Sequence, residues 1–213
     1  MWVAPEHAVS DPEQLRRLVR DHPFATLHSA GPVGQLASHL PIVMDPDGPA
    51  PGEAVTTRLV GHMAKANEHW RAMPAGTPVL AIFTGPQAYV TPTWYGPGPS
   101  APTWDYTAVH LHGRITLIDD PAEALRIIGV TIAALEGGRE PAWDPAPSAD
   151  FHRKLVAGIR AFHIEVGRHE AIFKLSGNKP REVQRAVRDA LAASATGGDR
   201  DLAAFMEREL PLP

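Results

Sequence analysis

The chain has 213 residues, 20 Lys and Arg against 24 Asp and Glu, a formal net charge of -4, eleven His and no Cys. That length suits one domain with a good core, and the acidic balance argues against a general nucleic-acid binder, which needs a basic face. Without Cys there are no disulfides, thiolate metal sites or thiolate haem ligands, so any transition metal here must use His, Met or carboxylate.

Met1-Trp2-Val3-Ala4-Pro5-Glu6-His7 lacks a basic region followed by an apolar core, so no secretory signal is expected and the cytoplasm is the expected compartment. Ser10-Asp11-Pro12-Glu13 has the pattern of a capping box, with a helix to about Arg20 that buries Leu15, Leu18 and Val19 and ends before Pro23. Phe24 to Ser29 is a predicted strand, Ala30 to Gly34 its turn, and Gln35 to Met44 the returning strand, with alternating Leu36, Ser38, Leu40 and Ile42. The Pro/Gly-rich Asp45 to Gly52 is a loop, and Ala54 to Val60 is a further strand. That strand delivers the chain into a polar and aromatic segment, Gly61 to Trp70, with a short helix expected.

Between Arg71 and Asp105 lie thirty-three residues without a charge. A membrane helix needs about 20 continuous apolar residues, and Pro74, Pro78, Pro86, Pro92, Pro97, Pro99 and Pro102 interrupt this stretch. It divides into one strand, Val79 to Phe83, and a long loop presenting Tyr89, Trp94, Tyr95 and Trp104, whose flat rings suit a flat ligand.

Thr107 to Ile118 is the clearest strand, through Val109, Leu111, Ile115 and Leu117. Asp119-Asp120-Pro121 opens a helix through Leu125, Ile128, Ile132 and Leu135 to Gly137-Gly138. A proline-rich connector from Arg139 to Pro147 leads to a helix from Ser148 through Leu155. Ala161 to Val166 and Ala171 to Leu175 then form a second predicted hairpin around Gly167 to Glu170. Helices follow from about Pro180, broken at Gly197-Gly198 and ending near Leu210. Seven or so strands in hairpins with helices outside define an α+β fold around an antiparallel sheet or small barrel.

Several motifs stand in one order and spacing: Phe24-Ala25-Thr26-Leu27, Ser38-His39-Leu40-Pro41, Gly61-His62-Met63-Ala64-Lys65-Ala66-Asn67, Gly85-Pro86-Gln87-Ala88-Tyr89-Val90, Pro102-Thr103-Trp104-Asp105-Tyr106, Ala108-Val109-His110 and Phe173-Lys174-Leu175-Ser176. As a set, covering nearly the whole chain, they resemble the PaiB family. The resemblance implies a split β-barrel related to the flavin-binding pyridoxamine-phosphate-oxidase group, here one domain over residues 1–213 with C-terminal helices from about 180. It also implies a homodimer with the cofactor at the subunit interface. Many members are described as FMN-binding negative transcriptional regulators. Another branch is similar to piperazate synthase, a haem-dependent enzyme that closes N5-hydroxy-L-ornithine into L-piperazate with loss of water and no net redox change. The Ala, Gly, Pro and Arg bias favours that branch.

Where many members read Trp-Asn-Tyr and Lys-Leu-Ser-Gln-Asn, this chain has Trp104-Asp105-Tyr106 and Lys174-Leu175-Ser176-Gly177-Asn178. Asp105 suits a cationic amine substrate, a hydroxylated amino acid, better than a flavin phosphate. His62 is the expected axial ligand of haem b, since a neutral imidazole is a common proximal ligand; Met63, Lys65, His39, Trp94, Trp104 and Tyr106 complete the expected cofactor pocket. Lys174 or Lys179 is the expected base, and Asp105 the third catalytic residue. For each of these lysines a purely structural role weighs more, and for His62 the two roles weigh about equally. The alternative cofactor is FMN, with Thr56, Thr57, Arg58, Lys65 and Lys174 as phosphate donors. His110 and His112, at i and i+2, more often form a satisfied sheet face than a metal site. A DNA-binding regulator ranks last, for want of a basic face and a helix-turn-helix.

Overall fold

The computed structural model describes residues 1–32, 34–49 and 55–210. The expected turn at Val33, the loop end Ala50-Pro51-Gly52 and the strand start at Ala54 lie outside the described residues. Among the described residues six strands form a closed ring in the order β1-β2-β3-β6-β5-β4: β1 Phe24–Gly31, β2 Gly34–Met44, β3 Arg58–Ala64, β4 Thr77–Val90, β5 Thr103–Ile118 and β6 Ile159–Lys174. The α-helices among the described residues are α1 Pro12–Asp21, α2 Pro121–Glu136, α3 Ala149–Leu155, α4 Arg181–Ala192 and α5 Gly197–Glu209. The α+β split barrel expected from the sequence is therefore present.

Internal contacts cluster into two compact units, each assembled from separated segments. One contains Val19–Phe83 and His110–His169; the other contains Met1–Leu18, Thr84–Val109 and the chain from Glu170 onward. In the first unit, strand alternation turns Ala25, Leu27, Ile42, Leu59, Phe162 and Ile164 into the barrel, all buried. Fully burying such an aliphatic or aromatic side chain contributes about 1.5–3 kcal/mol. The opposite parity faces outward. There Val43, Val60, Ala161, Ala124 and Ile127 form one buried cluster, which seats α2 on the outer surface of β2, β3 and β6. In the other unit, Phe173 of β6 meets Phe205 of α5 edge-on at 5.1 Å, and Val187, Leu191, Leu202 and Met206 close the core of the helical pair.

Several predicted boundaries are corrected. The Asp11 carboxylate, rather than the Ser10 hydroxyl, accepts from the backbone N–H of Glu13 at 2.9 Å, because Pro12 takes the first helical position. β3 runs on to Ala64, so His62 lies inside a strand and not beyond its end. Gly61 had the look of a strand stop, but it answers a packing demand: a Cβ there would sit 2.8 Å from the Phe162 ring and 3.0 Å from the Pro41 carbonyl oxygen. Half of the expected aromatic loop is strand, since β4 continues through Pro86 to Val90 and β5 begins at Thr103. Only Pro92–Tyr95 between them makes a turn of 3-10 helix. The second predicted hairpin is one unbroken strand, β6. The polar Gly167-Arg168-His169-Glu170 is largely solvent-facing there, and its polarity reports exposure rather than a turn. That merger leaves six strands among the described residues instead of seven. Gly197-Gly198 starts α5.

Candidate functional site

The strand registers fix where His62 points. It pairs with Ala161 across β3 and β6 and shares strand parity with Val60, so it lies on the outer barrel face. Phe24 and Pro41, paired across β1 and β2, and Thr26 and His39, the next same-parity pair, also face outward. Phe24 is 67% exposed and stacks on His39 at 6.2 Å, and Thr26 Oγ1 bonds His39 Nδ1 at 3.0 Å. His62 itself is half-buried. Its Nδ1 is inaccessible and has no hydrogen-bond partner, and burial pushes its pKa below the ordinary imidazole value, which keeps it neutral near pH 7. A neutral imidazole is the ligating form. Met63, of the other parity, is buried in the interior.

The same unit holds a buried polar network that the sequence reading did not assemble. His69 is 4% exposed; its Nε2 meets Ser29 Oγ at 2.8 Å and its Nδ1 meets Ser38 Oγ at 2.9 Å. Asn67 donates from Nδ2 to Ser38 Oγ at 2.9 Å, and its Oδ1 accepts from the His69 backbone N–H, capping the 3-10 turn Glu68–Ala72. Burial, then the charge of His28, holds the His69 pKa down. Ser38, Asn67, His69 and Arg71 line a cavity of about 450 Å³. With both ring nitrogens and both ends of the Asn67 amide bonded, the network braces this turn.

Asp105, Lys174 and Lys179 are in the other unit. Asp105 is fully buried in β5; its Oδ2 accepts from Ser176 Oγ at 2.6 Å, while Oδ1 has no partner. Burial raises its pKa, against the opposing influence of the Ser176 bond and the charges of Lys174 and His7. Ser176 adopts φ 55°, a conformation costly for a side-chain-bearing residue, and its bond to Asp105 holds it there. Two further buried atoms, His7 Nδ1 and Tyr95 Oη, also lack partners. Burial first, and then the charge of Asp105, raises the Tyr95 pKa. Lys174 Nζ donates to Thr103 Oγ1 and, at 2.9 Å, to the Trp104 carbonyl; Lys179 Nζ lies 4.6 Å from the Tyr95 ring centroid. Trp104 and Tyr89, each 49% exposed, meet edge-on at 6.3 Å, and Trp104 Nε1 donates to Gln87 at 3.0 Å. Trp94 and Tyr106 are half-buried. The sequence hinted at Ser176 and Tyr95 through their motifs; nothing local marked His7.

The expected phosphate donors each have a partner within the protein. Thr56 Oγ1 donates to the Arg58 carbonyl and Thr57 Oγ1 to that of Pro49. Arg58 pairs with Glu165 at 2.8 Å, and Lys65 Nζ donates to the Ala157 carbonyl at 2.7 Å. His112 contacts Arg168 at 3.1 Å. Among the described residues no group of three or more His, Asp or Glu is disposed to hold a metal, and no helix is long and apolar enough to cross a membrane.

Comparison with known proteins agrees with this architecture. The profile of a family described as "Putative FMN-binding domain" matches residues 1–168. The chain is 28% identical to "Protease synthase and sporulation protein PAI 2" of Bacillus subtilis (strain 168) over 214 aligned positions, covering 99% of this chain and 98% of that protein. Among solved structures, the FAD and heme binding protein from Mycobacterium smegmatis superposes with a TM-score of 0.57 at 16% identity, covering 79% of this chain and 73% of that one. The flavocytochrome Anf3 from Azotobacter vinelandii superposes with a TM-score of 0.56 at 14% identity, covering 78% and 68%. At those identities the two structures speak for the fold, the same split barrel, while the sequence match speaks for kinship. The chain belongs to the PaiB family, that of the "Putative FMN-binding domain".

Proposed function

We propose that the chain binds a planar cofactor against the outer barrel face around His62, with FMN as the first candidate. The family match over residues 1–168 supports a flavin. The face itself offers the flat, uncharged Phe24 and His39 stack, the Thr26 hydroxyl and Pro41. The exposed Phe24 also favours a second copy of the chain covering this face, giving a homodimer with the cofactor between subunits.

A second reading rests on His62 alone: haem b with His62 as the axial ligand, in an enzyme similar to piperazate synthase. A half-buried imidazole kept neutral by burial is in the form that ligates iron. The iron would supply Lewis acidity at the hydroxylamine nitrogen of N5-hydroxy-L-ornithine. The chain's own part is to hold that amino acid and take a proton from its amine as water leaves. Lys174 and Lys179, the expected bases, belong to the other unit, where Lys174 is bonded to Thr103 and Trp104 and Lys179 lies over the Tyr95 ring.

An absorption spectrum of protein purified from cells supplied with iron and a haem precursor separates the readings. Two yellow flavin bands, retained in His62→Ala, support FMN. A Soret band that shifts with hydroxylamine and disappears in His62→Ala supports haem and calls for assay with N5-hydroxyornithine. A protein colourless with either cofactor refutes both.

A further inference from the structure

Ile159, two residues from Ala161 on the outer face of β6, borders a separate cavity of about 240 Å³. Lys65, Arg153 and Arg160 line it, against one lining carboxylate, Asp119. Pro121 and Ala124, from the first turn of α2, complete that side, so the positive end of a sixteen-residue helix also faces the cavity. The N–H groups of Ala122 and Glu123 are capped by Asp120, which leaves the helix a field rather than a set of donors.

Each cation is placed with capacity to spare. Lys65 Nζ uses one proton on the Ala157 carbonyl, leaving two. The Arg160 guanidinium is fixed by stacking, its Cζ 4.7 Å from the Trp70 ring centroid, and it donates to the Ile118 carbonyl at 3.4 Å and to Asp119. Arg153 reaches the cavity from α3 and pairs with Asp150, both largely exposed. Asp119 is 88% exposed, so its hold on Arg160 is a surface ion pair, worth little in water and open to competition. Three cations gathered at one small cavity repel one another unless an anion joins them, and a rigid guanidinium matches the geometry of phosphate oxygens.

We propose that this cavity is an oxyanion site that takes phosphate or a phosphate monoester, with Lys65, Arg153 and Arg160 as donors and Asp119 as the internal competitor for Arg160. The site is independent of which planar cofactor occupies the His62 face. Isothermal titration of the full chain with inorganic phosphate at low ionic strength tests it. Saturable binding is expected, weakened about tenfold by Lys65→Gln or Arg153→Gln, the lower range for a hydrogen bond to a charged group. Asp119→Asn should tighten it by about two- to fivefold, the worth of a surface ion pair removed. Arg153 and Asp119 are largely exposed, so these variants retain the fold, as circular dichroism will show. If FMN binds and phosphate competes with it while riboflavin binds much more weakly, the cofactor's own phosphate is the natural occupant. If phosphate and FMN bind without competing, the site serves a separate phosphomonoester. No saturable phosphate binding, or variants that leave it unchanged, or Asp119→Asn weakening it, would overturn the proposal.

Discussion

Replacing Asp105 by Asn should stabilise this protein above neutral pH, an unusual direction for a buried residue. Asp105 is fully buried with one oxygen bonded to Ser176 and the other unpaired. Its pKa is raised by burial, so the folded state favours the protonated form. A group with a raised folded pKa contributes stability below its unfolded value, about 3.9 for Asp. That contribution is lost as pH climbs through the folded value. Above its folded pKa the carboxylate is charged and under-bonded. An unsatisfied buried polar group costs about 1–3 kcal/mol. Asn removes the ionisation, keeps an oxygen for Ser176 and offers an N–H to the unpartnered His7 and Tyr95 side, but it forfeits attraction to Lys174; a net gain of about 1 kcal/mol is expected. With a urea slope of about 2–3 kcal/mol/M, the midpoint should rise by about 0.3–0.5 M at pH 8. Urea unfolding followed by circular dichroism at pH 8 and at successively lower pH measures this. The gain should shrink as pH falls toward the unfolded value. A variant less stable than the parent at pH 8, or a gain independent of pH, would refute the assignment of Asp105 as a strained buried acid.

Other expectations follow from single contacts. Gly113→Ala should destabilise by about 3 kcal/mol, the upper range for overpacking, because its Cβ would meet the Glu165 carbonyl oxygen, part of a fixed strand; a thermal midpoint unchanged from the parent would show that β5 and β6 can separate there. Asp45 has no exposed side-chain surface. Burial would raise its pKa, but Arg126, the Asp47 backbone N–H and the Arg58 charge outweigh burial and hold it below the ordinary value. Its contribution is present above the unfolded value and lost as pH falls through the depressed one. Arg126→Ala should cost about 2 kcal/mol at pH 7, discounted from a fully buried pair because Arg126 is 30% exposed. The difference should narrow on acidification, and a constant difference down to pH 3 would contradict the pairing.

The PaiB motifs, the α+β class, the β1–β2 hairpin, helix α2 and the C-terminal helices were legible in the sequence. They rest on local devices: alternation in Leu36, Ser38, Leu40 and Ile42, the Asp119-Asp120-Pro121 start, and prolines and glycines at turns. His62 and Asp105 could be singled out through the PaiB motifs in which they stand, Gly61 to Asn67 and Pro102 to Tyr106. What each faces was not local. Gly61 looks like a strand end until the Phe162 ring from a strand a hundred residues on is seen to require its missing Cβ. Gly167 to Glu170 looks like a turn until exposure accounts for its polarity. That Lys174 is bonded to Thr103 and Trp104 and that Lys179 lies over the Tyr95 ring is not local either. The sequence alone determined which elements form, since helix starts, strand alternation and turn chemistry act between near neighbours. Only the tertiary structure decided which face each side chain takes, which polar atoms are left unpaired and which cations converge on one cavity. Those are set by strand register and long-range packing, which no window along the chain contains.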